Sequence, residues 1–321
     1  MKKKKKKRIW YRIVTVAVLL LWVVAILWFM RPSPNAMPVP NTGTLERNQQ
    51  FASKYIPPRD IFIWFPEGYE IGEPCDVLYM HDGQMLFDAA TTWNHQEWQV
   101  DEIMGRLMEE GKIRRCIVVG INNTDDRLTE YFPAKTWQYV AEADRQKTNL
   151  EKLTADAYLK FIVEELKPYI DERYQPQHTF MMGSSMGGLL SLYALCEYPL
   201  VFDGVACLSS HLSMSHLPDG LDDEVWATGF RDYVSAHLPE ANTSLIYMDH
   251  GTKDFDADYG KYQDLLDHTI ESKGWDKEHY KSLVFEGHGH NEKSWASRLD
   301  QPLLFLLGKE PADTATINLN K

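Results

Sequence analysis

From residue 51 onward, short apolar runs alternate with longer amphipathic stretches. Runs at 61–65, 77–80, 116–121, 179–182, 205–208, 245–248 and 283–285 predict strands. Several are almost wholly apolar, as strands of a parallel sheet buried on both faces must be. The stretches 100–110, 154–172, 186–198, 259–272 and 294–307 predict helices. In the second of these Phe161, Ile162, Leu166 and Ile170 recur at helical spacing and mark an inward stripe. Alternation of this kind predicts an α/β fold, a mostly parallel doubly wound sheet with helices on both faces and right-handed crossovers. Such sheets bind ligands beyond the carboxyl ends of their strands, so chemistry is sought in the loops that follow strands.

A different pattern precedes this body. Residues 13–30 form an uninterrupted apolar run with Thr15 as its only hydroxyl and no charge, and Trp10, Tyr11, Trp22 and Trp28 lie in or beside it. Eighteen helical residues span roughly 27 Å, close to the ~30 Å hydrocarbon core of a bilayer. A cleaved signal peptide is the alternative, but the run is long for one and Trp28-Phe29-Met30-Arg31 offers no small-residue cleavage pattern. The expectation is a transmembrane signal anchor at 13–30 after a basic cytoplasmic segment at 1–12. A Pro-rich linker would follow at 31–50, then a catalytic domain at 51–310 and a polar tail at 311–321. Basic residues before the span place the body on the extracytoplasmic side.

Charge sharpens this division. The chain of 321 residues has a net charge of −12, but Lys2 to Lys7, Arg8, Arg12 and Arg31 sit in the first 31 residues without an acid. The remainder holds 25 basic against 46 acidic residues, a net charge of −21. Such a body repels a nucleic-acid backbone, so no nucleic-acid partner is expected. The four cysteines, Cys75, Cys116, Cys196 and Cys207, lie in or beside apolar runs without zinc-type spacing and read as buried thiols or disulfides. The oligomeric state is not legible.

Gly183-Ser184-Ser185-Met186-Gly187 fits G-x-S-x-G with Ser185 at its centre. A buried strand precedes it and a helix follows, the context of a nucleophile elbow. Flanking glycines let strand and helix approach without Cβ clashes. The amide of Met186 is then aimed at the oxyanion position beside a helix N-terminus. The bland alternative is a helix-capping serine between packing glycines.

A nucleophilic serine needs a histidine base and an orienting carboxylate, here in the chain order Ser, Asp, His. The strand 245–248 runs into Asp249-His250-Gly251-Thr252-Lys253-Asp254-Phe255-Asp256; Asp254 is the first choice of acid and Asp256 the reserve. The strand ending at Phe285 opens into Gly287-His288-Gly289-His290-Asn291-Glu292. His290 is favoured as the base because a helix follows it directly, leaving His288 as a loop residue or substrate contact. The His-x-His pair lacks the further ligands zinc needs, so no metal is expected, and no cofactor.

Together these residues resemble the putative-esterase family of α/β-hydrolases, which includes esterase D, feruloyl and acetyl-xylan esterases, siderophore-ester hydrolases and mycolyltransferases. The resemblance covers about residues 55–308. It rests on Leu78-Tyr79-Met80-His81-Asp82-Gly83-Gln84, Gly183 to Gly188, Tyr198-Pro199-Leu200-Val201-Phe202-Asp203-Gly204, and Gly289-His290-Asn291-Glu292 through Trp295. It implies the triad Ser185, Asp254 and His290, an oxyanion hole from the amides of Gln84 and Met186, and a serine carboxylic-ester hydrolase acting through an acyl-enzyme. The expected partner is a small-molecule or glycan ester: an acylated carbohydrate, an aryl ester or a siderophore-type ester. Trp93, Trp98 and Trp137 follow strands and are candidates to line the cleft, and the segment 212–237 is a candidate partial lid. An acyltransferase on the same triad and a non-catalytic, membrane-tethered binding protein are the alternatives.

Overall fold

Each apolar run becomes a strand, and an eighth strand precedes them. The computed structural model describes residues 36–146, 153–213 and 222–309, with Val14, Thr15, Val16, Val18 and Trp22 before them. The strands are β1 (Thr44–Phe51), β2 (Arg59–Phe65), β3 (Asp76–His81), β4 (Cys116–Ile121), β5 (Thr179–Ser184), β6 (Gly204–Leu208), β7 (Leu245–Gly251) and β8 (Tyr280–Phe285). They form one sheet in the order β1-β2-β4-β3-β5-β6-β7-β8. β1 and β2 pair antiparallel, as do β2 and β4; every pairing from β4 to β8 is parallel. All residues of β3 through β6 are buried, which is why these strands carry almost no polar positions.

Alternate side chains feed two separate cores. Val77, Tyr79, Ile117 and Val119 pack under helices α3 (155–174), α4 (Met186–Glu197), α5 (Asp223–His237) and α6 (Gly260–Ser272). Leu78, Met80, Cys116 and Val118 face the opposite side, covered by α1 (Val100–Glu109) and α8 (Asp300–Leu307). The short helices α2 (Arg127–Tyr131) and α7 (Glu292–Ala296) stand at the carboxyl ends of the strands. The expected two-faced helical cover is therefore present.

Three expectations are corrected, and one expected helix carries an irregular turn. The linker reading ended at residue 50, but Thr44–Phe51 is the edge strand of the sheet, paired with β2 from Thr44 opposite Phe65 to Phe51 opposite Arg59. Its sequence TLERNQQF has no apolar run because an edge strand keeps much of its surface in water. The helix expected at 294–307 is two helices, α7 and α8. In α3 the middle turn Ile162–Leu166 widens to a π turn just ahead of Pro168; proline has no N–H to give Glu164 and its ring crowds that carbonyl. Finally, the carboxyl part of the presumed lid is α5, which buries Trp226, Phe230, Tyr233 and Val234 in the main core. Residues 214–221 lie outside the described residues.

Most of the apolar run 13–30, and the tail 311–321, also lie outside them. Among the described residues no helix is long and apolar enough to cross a membrane. All four cysteines are buried free thiols.

Candidate active site

Ser185 sits between β5 and α4 with φ 56° and ψ −124°, a conformation a side chain adopts only under constraint. The constraint comes from the glycines. A Cβ on Gly183 would lie 2.8 Å from the Gly187 carbonyl, and one on Gly188 would lie 2.6 Å from Ser210 Oγ. Bare Gly183 lets β5 meet α4 at this angle, and bare Gly188 lets α4 lie against the end of β6. The Ser185 carbonyl accepts amides of Gly188, Leu189 and His211, and its own amide donates to Leu208, so the turn is tied on both sides. Met186 opens α4, where the first amides have no acceptor within the helix. Ser185 lines a cleft of ≈ 590 Å³ together with Gln84, Trp93, Arg127, His290 and Glu292.

His290 is held by Asp256 and not by Asp254: its Nδ1 lies 2.7 Å from Asp256 Oδ1, and the Asp256 side chain is fully buried. A short 3₁₀ turn, Asp254–Asp258, explains the difference. It points Asp256 back under the sheet edge, while Asp254 stays exposed with its carboxylate against the Cα of Gly289, where an added Cβ would lie 2.0 Å from Oδ2. Asp256 Oδ2 accepts the Gly251 amide at 2.7 Å and the Ser209 hydroxyl. Burial alone would push this carboxyl up. The bond and charge of His290, with Ser209 and Gly251, outweigh burial and hold it below the usual carboxylate range. Phe255, Tyr259 and Trp295 box the imidazole, with ring centroids 5.5, 5.7 and 5.1 Å away.

At the other end of the cleft, His81-Asp82-Gly83-Gln84 leaves β3 with Asp82 in the left-handed region at φ 57°. The first bond of the following 3₁₀ turn runs from the Met85 amide to the Asp82 carbonyl, so the Gln84 amide has no acceptor inside the turn. Arg127 of α2 grips Asp82 with Nε at 2.7 Å and Nη2 at 2.8 Å, and Asn123 adds a third donor. Burial works against the ionised Asp82, but Arg127 and Asn123 outweigh it and hold its pKa down. α2 is itself seated by a buried pair: Arg59 donates to both Glu130 oxygens at 2.9 and 2.6 Å. His81 packs under the elbow against Gly187 and the rings of Tyr131 and Tyr158; burial pushes its pKa down to about 4, so it is neutral.

The remaining candidates divide. Trp93 is 80% exposed and lines the cleft. Trp98 also lines it, but is buried against Trp295 with centroids 5.3 Å apart. Trp137 does not line the cleft; it packs edge-on to Phe132 at 5.6 Å. His288 does not line it either: its carbonyl accepts the amides of Thr252 and Lys253, and its Nδ1 lies 3.3 Å from Ser297 Oγ, so it joins the loops after β7 and β8. Among the described residues the carboxylates that gather closely enough for a metal are Glu97, Asp101 and Glu102, none of which lines the cleft. Asp101 accepts the amides of Asn41 and Thr42 at 2.6 and 3.1 Å, fastening the chain ahead of β1. Sequence reasoning missed Ser209, Arg298 and Arg127. They belong to no motif, and only the fold brings them to Asp256 and to the loop after β3.

A constrained serine after the central strand, with a His–Asp pair beyond the last two strands, defines an α/β-hydrolase. The family model described as "Putative esterase" matches residues 57–306, and the chain belongs to that family. It is 22% identical over 264 residues to the uncharacterized protein YbbA of Bacillus subtilis (strain 168), covering 78% of this chain and 93% of that one. Among solved structures it resembles a ferulic acid esterase (TM-score 0.58, 19% identity, 82% of this chain and 98% of that chain). It also resembles the enterobactin esterase of Shigella flexneri (TM-score 0.56, 18% identity, 86% and 61%). Family membership supports carboxylic-ester hydrolysis.

Proposed function

We propose that the protein is a serine carboxylic-ester hydrolase working through an acyl-enzyme on Ser185. The observation that carries this is the strained Ser185 in one cleft with an imidazole whose Nδ1 is bonded to a buried carboxylate at 2.7 Å. Asp256 holds the proton on Nδ1 of His290, which leaves Nε2 as the base. His290 takes the Ser185 proton as the oxygen attacks the ester carbonyl, and returns it to the leaving alkoxide. The amides of Met186 and Gln84 receive the developing oxyanion, each worth about 3 kcal/mol. Water then repeats the sequence on the acyl-enzyme.

The cleft suits a polar small-molecule or glycan ester with an aromatic or sugar face for Trp93 to cover. Asn94 and Glu292, bonded to each other at 2.8 Å, and Arg127 give it polar walls. The apolar run 13–30 behind nine basic residues supports tethering of this activity to a membrane, with the body on the extracytoplasmic side. A fluorophosphonate probe tests the mechanism: wild type labels, Ser185→Ala does not, and equal labelling of the two refutes the serine reading. A panel of aryl, acetyl-sugar, feruloyl and trilactone esters identifies the acyl group. Protection of the body from protease added to spheroplasts would refute the location.

A further inference from the structure

We propose that Ser209 and Arg298 are positioning residues for the acid–base pair: Ser209 gives its only proton to Asp256 and, locked there by Trp295 and Arg298, fixes the ionised acid and the tautomer of His290. The inference rests on the hydrolase reading above and extends it to groups that touch no substrate.

Ser209 follows β6 with φ 43°, and its side chain is buried. Its Oγ meets Trp295 Nε1 at 3.0 Å, Arg298 Nη2 at 2.7 Å, and Asp256 Oδ2. An indole N–H and a guanidinium can only donate, and a serine hydroxyl has one proton. The two donors therefore occupy the lone pairs of Oγ, and the hydroxyl proton has no direction left but Asp256. With the Gly251 amide on the same oxygen at 2.7 Å, Oδ2 carries two donors and is a poor site for a proton. Oδ1 is left to accept from His290 Nδ1–H, which leaves the imidazole lone pair on Nε2.

Arg298 is fixed in turn by Asp249, with Nη2 3.0 Å from Oδ1 and Nε 3.3 Å from Oδ2; both side chains are at most 1% exposed. Its Nη2 lies 3.8 Å from Asp256 Oδ2. The other charged or titratable groups around the imidazole are Asp254 beside Gly289, Glu292 on α7, and His211, which bonds the Tyr259 hydroxyl at 2.7 Å. Of all these, Asp256 is the group hydrogen-bonded to His290, and Ser209 and Arg298 are its side-chain partners.

The experiment compares Ser209→Gly, which suits the positive φ, with Arg298→Lys and Arg298→Met. It measures steady-state kinetics across pH and the downfield proton resonance of His290 Nδ1–H. Loss of the hydroxyl concentrates charge on Asp256 and favours the imidazolium. Ser209→Gly should lower kcat about 10- to 100-fold, leave KM within about twofold, move the acidic limb of kcat/KM to higher pH and displace the resonance. Arg298→Lys should keep most of the activity that Arg298→Met loses. If Arg298→Met does not fold, Ser209→Gly and Arg298→Lys decide the matter alone. A wild-type limb and resonance in Ser209→Gly overturn the proposal, as does a change confined to KM. The resonance needs no turnover: if it moves while wild-type Ser185 fails to take the fluorophosphonate, the hydrolase reading falls and the hydrogen-bond array stands.

Discussion

Two buried carboxylates hold the two ends of the cleft, and they are held differently. Asp82 is clamped by Arg127, a cation that never titrates, and its task is to keep a left-handed backbone turn in place beneath the Gln84 amide. Asp256 is bonded to His290, a group that under the proposed mechanism gains and loses a proton twice in each turnover, and its permanent cation, Arg298, stands back behind Ser209. Where geometry alone is required, the protein uses a direct bidentate ion pair. Where a proton must come and go, it places neutral donors between the carboxylate and the fixed charge, so that the imidazole keeps the nearest claim on it.

The sharpest way to break this comparison is to remove the charges one at a time. Ser185→Ala sets the scale, with a loss on the order of 10⁶ in kcat. Asp256→Asn should cost on the order of 10⁴, since the amide favours the wrong imidazole tautomer. Asp254→Asn should stay within about threefold of wild type. Equal losses for the two aspartates in a kcat assay would return the acid to Asp254. Arg127→Ala comes next: kcat/KM should fall about 10²-fold as the Gln84 amide loses its alignment. Denaturant melts should show a loss of about 2 kcal/mol from the unpaired Asp82. Full activity in a folded Arg127→Ala would detach the oxyanion loop from its clamp.

Acidity separates the two ends more gently. kcat/KM should rise with pH as His290 loses its proton, while the Asp82–Arg127 pair stays charged throughout; a flat profile between about pH 5 and 9 would remove histidine as the base. Stability provides the smallest effect, with opposite signs at two sites. The folded pKa of Asp256 is depressed, so its contribution is present above the unfolded carboxylate range and is lost as pH falls through the folded value. Burial, with Glu102 as the next cause, raises Glu97 to about 7. Burial raises Asp101 to about 7 as well, with its hydrogen bond to Glu102 and then that residue's charge as the next causes. Their contribution is therefore fully present below the unfolded carboxylate range and is lost as pH climbs to about 7. Glu97→Gln should stabilise the fold at pH 8 by less than about 1 kcal/mol given its partial exposure, and by less still at pH 5, as read from thermal melts.

The sheet was legible because burial on both faces forces continuous apolar runs, and β4 was marked to the residue. The elbow was legible because its backbone geometry demands glycines at fixed offsets from Ser185. β1 escaped because an edge strand needs no such run, and the paired turn of α7 and α8 escaped because helical periodicity carries across it. The acid was ambiguous for a simple reason. Asp254 and Asp256 are two residues apart in a loop, and only the 3₁₀ turn decides which of them faces inward. Ser209, Arg127 and Arg298 were invisible because their side-chain hydrogen-bond partners lie 45 to 89 positions away or outside any motif.

The fastening ahead of β1 has a mechanical meaning. Before the chain enters the sheet, Asn41 and Thr42 give their amides to Asp101, the Thr42 carbonyl takes the Trp64 indole N–H at 2.7 Å, and Gly43 fits where a Cβ would lie 2.2 Å from the Phe65 carbonyl. A pull on the amino-terminal side meets this clasp before it reaches the β1–β2 ladder. Tension arriving from that direction would be spent on a few bonds at the sheet's far edge, with six strands between it and the strand that ends in His290's loop, and the cleft would keep its shape under tow.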